Sequence, residues 1–256
     1  MKETIMMIHG MWGNDRVWLR FKQYFEAAGY SCITPVLRFH SMKADSPPSA
    51  ALGRTSLLDY VQDLENEICM LASKPIIMGH SMGGLLAQIL AAKGLAKSLV
   101  LLAPSPAAGL IKFSSSAGKL LLSEITRLGF WNMPVRLTYK EAAFGLFNLC
   151  PDELKRKLYE ECIFESGRAT FEIAFWYLDR RKASSVDQNR VTCPIMIIVG
   201  KEDRATPVTI VRRIAEKYQT VTSYKELDHH AHWLLAEPGW EAIAGMVDEW
   251  LKSATA

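Results

Sequence analysis

Short runs of apolar residues alternate along the chain with longer segments in which apolar residues recur every three or four positions. Most of the short runs show no alternation with polar residues, which is typical of strands buried on both faces of a sheet. Strands that alternate with helices in this way predict a parallel sheet with helices on both faces. The predicted strands cover residues 4–8, 31–36, 75–78, 98–102, 195–199 and 220–226.

The segments between these runs carry apolar faces at helical spacing. Residues 57–71 place their apolar residues on one stripe and their acidic residues off it, which predicts a helix docked on the sheet. Thr206-Pro207 has the pattern of an N-cap followed by proline at the first helical position, and Pro238 opens the last helix. Residues 85–95 are apolar nearly all round, so we expect a helix buried on most sides.

One long stretch breaks this rhythm. Between the strands predicted at 98–102 and 195–199, helical patterns dominate and no clear strand is visible. Residues 152–162 and 169–178 are the clearest predicted helices there. We therefore expect a core domain formed by residues 1–110 and 191–256, with residues 111–190 inserted as a helical cap over one end of the sheet.

Composition narrows the class of protein. Hydrophobic residues make up 49% of the chain, enough for a sizeable core, and the net charge of +3 is too small and too evenly spread to indicate a nucleic-acid or membrane-surface partner. The five cysteines form no CxxC pair, so neither a disulfide framework nor a zinc site is expected. Neither a signal peptide nor an apolar run of about 18 residues is visible, and we expect a cytoplasmic protein without a membrane span.

The sharpest chemical signal is the run Gly79-His80-Ser81-Met82-Gly83-Gly84, between a predicted strand and the buried helix. This G-x-S-x-G context is typical of a nucleophile elbow, in which a sharp turn raises the serine hydroxyl above the sheet edge. Residues two before and two after the serine come too close for side chains, hence the glycines. The helix N-terminus places the Met82 amide near developing negative charge. A glycine-rich turn without catalytic use is the alternative.

A second signal, His9-Gly10-Met11-Trp12-Gly13, follows the first predicted strand. The glycine lets the backbone pass close to the elbow, so the amide of Met11 can be the second oxyanion donor beside that of Met82. Only the backbone is required for this role. We therefore interpret the side chain of His9 as a structural group that bonds within the loop.

The acid of the site is predicted in the turn that follows residues 195–199. Asp203 lies three residues after Gly200 and four before Pro207, and Glu202 is its competitor. A carboxylate at this end of the sheet can reach a histidine from the next loop. Asp203 is preferred because of its position relative to the glycine and the helix-opening proline.

The base is predicted in the run Asp228-His229-His230-Ala231-His232-Trp233. His232 is preferred because it directly precedes Trp233 and the final helix, whereas His229 and His230 are interpreted as polar groups of the loop. One histidine-rich tract without placed carboxylates or cysteines is weak evidence for a metal, and the chain order serine, aspartate, histidine explains His232 without one. We expect neither a metal nor an organic cofactor.

These four motifs, in this order, resemble those of the α/β-hydrolase superfamily, and of its carboxylesterase and lactonase-like members in particular. The resemblance covers nearly the whole chain except the insertion. It implies an α/β-hydrolase fold, a triad of Ser81, Asp203 and His232, an oxyanion hole from Met11 and Met82, and a cap that shapes the acyl pocket.

The chain departs from the superfamily pattern at three places. It opens at what would be the third strand, so we expect the leading hairpin to be absent and the sheet to have about six strands. Leu37-Arg38-Phe39-His40-Ser41 replaces the usual Arg-Gly-His-Gly turn, and Ala231 stands where glycine is common. None of these departures removes a catalytic group.

The residues predict a serine hydrolase that cleaves a carboxylic ester or lactone through an acyl-enzyme. A thioesterase, a carbon–carbon bond hydrolase, an acyltransferase or a cofactor-free haloperoxidase would use the same triad. Arg127, Arg136 and Arg168 could hold the dienone acid on which a carbon–carbon bond hydrolase acts. A ligand-binding protein on a hydrolase fold commonly lacks a triad member, and all three are present here.

The substrate is expected to be a small molecule that contacts aromatic side chains near the catalytic end of the sheet. The candidates are Trp12, Trp131, Phe144, Phe147 and Trp176. An apolar lining favours esters with an apolar group of moderate size. The alternative is that the four candidates from the insertion only form its own small core.

Overall fold

Six strands form the central sheet in a computed structural model of the protein, which describes residues 2–110, 119–120, 122–218 and 222–254. Every neighbouring pair of strands is parallel, so the prediction of a mostly parallel sheet of about six strands is confirmed. The strands are β1 (Thr4–Ile8), β2 (Ser31–Ile33), β3 (Ile76–His80), β4 (Ser98–Leu102), β5 (Ile195–Gly200) and β6 (Thr222–Leu227), in the spatial order β2-β1-β3-β4-β5-β6.

The strands at the sheet edges differ most from prediction. β2 ends at Ile33 although a strand over residues 31–36 was predicted, because it pairs only with β1 and Pro35 has no N–H to continue the ladder. Residues 220–221, predicted to start the last strand, lie outside the described residues, and β6 begins at Thr222. In the centre, β3 extends to His80 and so reaches the residue before Ser81.

The described residues form helices on both faces of this sheet and in the segment between β4 and β5. They are α1 (Leu19–Ala27), α2 (Leu57–Cys69), α3 (Met82–Ala92), α4 (Leu122–Ile125), α5 (Tyr139–Gly145), α6 (Asp152–Glu161), α7 (Gly167–Ala174), α8 (Val208–Lys217) and α9 (Trp240–Ala254). None of these helices has both the length and the apolar composition needed to cross a bilayer.

Both faces of the sheet are buried in apolar clusters. Met6 and Ile8 of β1 pack with residues of α2, α3 and α8, whereas Ile5 and Met7 pack with residues of α1 and α9. Successive side chains of a strand point to opposite faces, so a strand covered on both faces must be apolar throughout. This explains why the predicted strands showed no polar alternation.

Helices α4 to α7 lie between β4 and β5, where the sequence predicted a helical insertion. The region also contains a short strand pair that was not visible in the sequence, in which Pro134–Val135 pairs in antiparallel fashion with Glu165–Ser166. Two residues are too few to show the period-two pattern of a strand. Residues 111–118, the predicted start of the insertion, lie outside the described residues.

Glu165 is a fully buried carboxylate at which the inserted segment meets the chain after β2. Its Oε2 accepts a hydrogen bond from His40 Nε2 at 3.1 Å. Its Oε1 accepts from the Tyr60 hydroxyl at 2.8 Å and from the Ser166 N–H at 2.6 Å. The other ring nitrogen of His40 faces the carbonyl oxygen of Arg38 at 2.9 Å, so the imidazolium form satisfies both nitrogens.

The pKa values of His40 and Glu165 are shifted in the directions that favour an ion pair between them. Burial alone lowers the pKa of His40, but the carboxylate of Glu165 and the hydrogen bonds outweigh it and raise that pKa above its ordinary value. Burial alone raises the pKa of Glu165, yet the contacts with His40 and the neighbouring donors lower it. The insertion is thus fixed to the core by a buried ion pair.

Glu172 of α7 forms a second anchor, at the start of α2. It accepts hydrogen bonds from the Ser56 hydroxyl at 2.8 Å and from the Leu57 N–H at 2.8 Å, where the helix N-terminus favours a negative charge. Arg168 pairs with Glu172 at 2.8 Å and with the buried Asp179 at 3.2 Å. The inserted segment therefore packs on α2 through charged groups as well as apolar ones.

Replacing Glu165 by alanine should lower the free energy of unfolding by about 3 kcal/mol or more, because His40 and the Tyr60 hydroxyl lose a buried acceptor. Urea denaturation followed by circular dichroism measures this change. The matched control is Glu65→Ala, which removes an exposed pair with Lys93 and should change the free energy by less than about 1 kcal/mol. Equal effects of the two substitutions would contradict the anchoring role of Glu165.

The same pair should make stability depend on pH. A histidine whose pKa is raised by folding contributes stability that is present below its ordinary pKa of about 6.5 and is lost as the pH rises through the raised value. The difference in unfolding free energy between the wild type and Glu165→Gln should therefore shrink from about pH 6 towards alkaline pH. A difference that stays constant over this range would mean that His40 is not charged in the folded protein.

Candidate active site

Ser81 forms the turn between β3 and α3, with φ of 53° and ψ of −120°. Residues other than glycine rarely adopt a positive φ, and such strained positions cluster at functional sites. The turn is held against the chain at the end of β4. The Ser81 N–H donates to the carbonyl of Leu102 at 3.1 Å, and the Ser105 N–H donates to the carbonyl of Ser81 at 2.8 Å.

Close backbone contacts explain the glycines on either side of Ser81. A Cβ at Gly79 would lie 2.3 Å from the carbonyl oxygen of Gly83, and a Cβ at Gly83 would lie 2.1 Å from the carbonyl oxygen of Ile8. Both distances are far below van der Waals contact, so neither position can carry a side chain. The strand, the turn and the helix meet as the elbow pattern predicted.

The loop after β1 lies directly against the elbow. A Cβ at Gly10 would meet the Cβ of Ser81 at 2.9 Å, so only glycine allows this approach. Met11 follows Gly10 in the chain, and Met82 is the first residue of α3, where a backbone N–H has no acceptor within the helix. Two backbone segments that each carry a predicted oxyanion donor therefore flank Ser81.

The side chain of His9 bonds within its loop. Its Nδ1 lies 2.9 Å from the carbonyl oxygen of Gly10, and the Leu37 N–H donates to its Nε2 at 3.3 Å, so the proton belongs on Nδ1. Burial and the nearby charge of His40 lower the pKa of His9 to about 3. A neutral imidazole thus holds the loop after β1 to the chain that follows β2.

Asp203 and His232 are brought together at the carboxyl ends of β5 and β6. The Nδ1 of His232 lies 2.9 Å from Oδ2 of Asp203, and both side chains are buried. The second oxygen of Asp203 accepts the backbone N–H groups of Ala205 and Thr206, each at 2.8 Å. These bonds orient the carboxylate towards the imidazole.

Thr206 has a role that the sequence did not predict. It was expected to cap a helix, but α8 begins only at Val208, and the Thr206 hydroxyl lies 2.8 Å from Oδ2 of Asp203. The same hydroxyl is 3.4 Å from Nδ1 of His232. A threonine three residues after an acid at the end of a strand was the signal that could have indicated this contact.

His80 places the base segment beside the elbow. Its Nε2 donates to the carbonyl oxygen of His232 at 2.9 Å, and the two rings lie 4.9 Å apart between centroids. Burial and the proximity of His232 lower the pKa of His80 to about 3, so this ring is neutral. No hydrogen bond joins the Ser81 hydroxyl to His232, two residues that the structure describes in full.

Glu237 supports the base from the other side and was also missed by the sequence analysis. This buried carboxylate accepts the N–H of Ala231 at 2.8 Å and the N–H of Trp233 at 3.0 Å, one residue on either side of His232. His230 lies 3.4 Å from the same carboxylate through Nδ1. It therefore belongs to the loop and does not contact Asp203.

The remaining candidates for acid, base and metal ligand lie apart from this arrangement. Glu202 is exposed and contributes only backbone hydrogen bonds, one of them from its N–H to the carbonyl of His230. His229 stands at a turn with φ of 59°. Across the described ranges, no three histidine, cysteine, aspartate or glutamate side chains are grouped as a metal site requires.

The aromatic residues predicted to bind substrate divide into two groups. Trp12 and Phe147 are buried in one apolar cluster with Trp233, whose ring lies 4.8 Å from that of Phe147. Trp131, Phe144 and Trp176 are half-buried.

Two of the half-buried rings have further contacts in the inserted segment and its neighbours. The Arg204 guanidinium covers the ring of Phe144 at 4.8 Å, and Trp131 packs on Phe171 at 6.0 Å. A role of any of these aromatic residues in substrate binding stays a prediction.

The comparisons with known proteins agree with this architecture. The sequence pattern of the alpha/beta hydrolase family matches residues 5–244. No curated protein gives a significant match in sequence. Similar solved structures include a pyrethroid hydrolase from Sphingobium faniae JZ-2, with a TM-score of 0.74, 16% identity and coverage of 100% of this chain and 99% of that one.

Two further structures have the same fold. A monoacylglycerol lipase from Paleococcus ferrophilus has a TM-score of 0.72 and 21% identity, and covers 98% of this chain and 94% of its own. A methylesterase from Arabidopsis has a TM-score of 0.71 and 14% identity, and the match covers 96% of this chain and 97% of the methylesterase. Identities this low show the fold alone, whereas the family pattern spans nearly the whole sequence. The chain belongs to the alpha/beta hydrolase family.

Proposed function

We propose that the protein is a serine hydrolase that cleaves a carboxylic ester or lactone with an apolar moiety. The observation that carries this proposal is the hydrogen bond between Asp203 and His232, beside the strained turn that presents Ser81. A buried carboxylate that binds one nitrogen of an imidazole leaves the other nitrogen available as a base. The three residues follow one another in the chain order that this fold uses for its triad.

The proposed first step is a proton transfer from Ser81 to His232. His232 accepts the proton of Ser81 on Nε2 while the serine oxygen attacks the substrate carbonyl. Asp203 keeps the Nδ1 proton in place and stabilises the imidazolium that forms. The bonds from Thr206 to Asp203 hold the carboxylate still, so little reorganisation is needed during the reaction.

Two backbone amides are proposed to stabilise the negative charge that develops on the carbonyl oxygen of the substrate. Met82 supplies the N–H at the N-terminus of α3, whose dipole favours an anion, and Met11 supplies the second from the loop after β1. Each donor of this kind contributes roughly 3 kcal/mol to transition-state stabilisation in well-studied hydrolases. The close approach of Gly10 to Ser81 supports the choice of Met11 as the second donor, because Met11 follows Gly10 in the chain.

The acyl-enzyme is resolved by water. His232, now protonated, gives its proton to the leaving alcohol and then takes a proton from the water that attacks the ester of Ser81. It gives this proton to the Ser81 oxygen as the bond to the acyl group breaks and the acid leaves. This cycle returns the serine and the imidazole to their starting states and needs no cofactor.

The inserted segment is proposed to act as a cap that selects the substrate. It enters after β4 and leaves before β5, two central strands whose carboxyl ends lie beside Ser81 and Asp203. Ligands bind at this end of open α/β sheets. The half-buried rings of Trp131, Phe144 and Trp176 offer apolar surface for the acyl or alcohol group.

Carbon–carbon bond hydrolysis is the alternative for which the insertion offers cationic groups. Of these, Arg168 is committed to Glu172 and Asp179, and Arg136 donates to a backbone carbonyl at 2.9 Å. Arginines already engaged in this way are less available to bind a dienone acid, which favours ester hydrolysis over carbon–carbon cleavage.

Ser81→Ala and His232→Ala should each lower kcat for p-nitrophenyl butyrate by at least about 10⁴-fold, because nucleophile and base act as one unit. Ser81→Ala should leave thermal unfolding near that of the wild type, since it removes only a hydroxyl group. His229→Asn is the matched control, because asparagine tolerates the positive φ at this position, and its kcat should remain near the wild-type value. Full activity in a folded Ser81→Ala protein would refute the proposed nucleophile.

Asp203→Asn should lower kcat strongly, because an amide at this position favours the wrong tautomer of His232. The same substitution in the best-studied serine hydrolase triad lowers kcat by about 10⁴-fold. Glu202→Gln is the control for charge in the same turn and should have little effect, since its side chain is exposed. If Glu202→Gln proves the more damaging change in steady-state kinetics, the acid has been assigned to the wrong residue.

A series of p-nitrophenyl esters should show kcat/KM rising with acyl chain length and then falling. Each buried methylene contributes about 0.8 kcal/mol, or roughly fourfold, until the pocket is full. Trp131→Ala should shift the optimum to longer chains, whereas Leu128→Ala, at a position 92% exposed, should not. A flat profile that neither substitution alters would mean that the insertion does not contact the substrate.

A further inference from the structure

A cleft of about 140 Å³ opens outside the proposed catalytic residues, between the start of α1, helix α6 of the insertion and the loop after His232. Ser81, Asp203 and His232 are not among the residues that line it. Two of its lining residues are nonetheless neighbours of the site in sequence. Trp12 follows Met11, and Trp233 follows His232.

The floor of the cleft is apolar. Trp12 and Trp233 meet Val17, Leu154 and Leu158 there, and all five belong to or pack against one apolar cluster. The indole N–H of Trp12 is buried and has no hydrogen-bond partner in the described part of the chain. A floor of this kind suits a short alkyl chain, because burial of methylene groups stabilises binding.

The rim of the cleft is positively charged. Arg16, Arg20 and Lys157 line it together with one acid, Glu161, and all four are exposed. None of the three cations forms an ion pair with any acid that the structure describes. Arg20 donates to the carbonyl of Ala236 at 3.4 Å, so its position is constrained. The side chains of Arg16 and Lys157 form no hydrogen bond with any residue that the structure describes.

We propose that this cleft binds an aliphatic carboxylate, with the alkyl chain on the apolar floor and the carboxylate at Arg16 and Lys157. Unpaired cations beside an apolar floor favour a ligand that carries one negative charge on an alkyl chain. A neutral alcohol would leave the cations without a partner, and an amine would be repelled by them. Such a ligand has the chemistry of the acid that the proposed ester hydrolysis releases. That last link rests on the proposed function, whereas the binding site does not.

Isothermal titration calorimetry of the full wild-type chain with sodium octanoate tests this site directly. Octanoate should bind about 10-fold more tightly than 1-octanol or octylammonium, which share the chain but lack the negative charge. Raising the salt concentration should weaken the binding of octanoate and leave the binding of 1-octanol unchanged, because salt screens exposed charges.

Charge variants locate the ligand within the cleft. Arg16→Ala combined with Lys157→Ala should weaken octanoate about 10-fold, and Glu161→Gln should strengthen it about 2-fold, since a repelling charge is removed. The matched control is Lys140→Ala combined with Lys217→Ala, which removes two exposed cations away from the cleft and should change nothing.

Two outcomes would overturn the proposal. One is octanoate that binds no more tightly than 1-octanol. The other is octanoate affinity that stays the same in the Arg16/Lys157 variant and in Glu161→Gln, which would place the ligand elsewhere, including at Ser81. Because octanoate is not a substrate, these results do not depend on whether the protein hydrolyses esters.

Discussion

The strained turn at Ser81 costs the chain about 1–3 kcal/mol, and the surrounding structure has to hold it. It exists because β3 runs straight into α3, whose residues from Met82 to Ala91 are buried. Three backbone segments approach so closely that Gly79, Gly83 and Gly10 can carry no side chain. The nucleophile is therefore positioned by main-chain packing, and a change at any of these glycines would displace it.

The inserted segment and the loop after β1 are connected through buried polar groups. Glu165 binds His40, whose ring lies 5.1 Å from that of His9, and His9 bonds to the carbonyl of Gly10. A carboxylate of the insertion is thus connected, through His40 and His9, to the loop that carries Met11. The lowered pKa of His9 and the raised pKa of His40 follow from the same geometry, since only His40 forms a hydrogen bond with a carboxylate.

Elements that depend on local interactions were predicted from local patterns in the sequence. The strands at residues 4–8 and 98–102 and the elbow at Ser81 rest on periodicity or on motifs within a few residues. Asp203 and His232 lie 29 residues apart, and each was predicted from its own short motif. The contacts of Glu165 were missed because its partners His40 and Tyr60 lie 125 and 105 residues away in the sequence. Glu237 was missed because it lies in an irregular turn, where no periodic pattern distinguishes a bound carboxylate from an exposed one. The short strands of the insertion were missed because two residues carry no period.

The central claim is that Ser81 is a nucleophile activated by His232, and a fluorophosphonate tests it most directly. Such a probe forms a covalent bond with an activated serine and leaves an ordinary serine unmodified. After incubation and proteolysis, mass spectrometry should find the probe on the peptide that contains Ser81 in the wild type and in His229→Asn, but not in His232→Ala. Labelling that is absent from the wild type, or that persists unchanged in His232→Ala, would contradict the account.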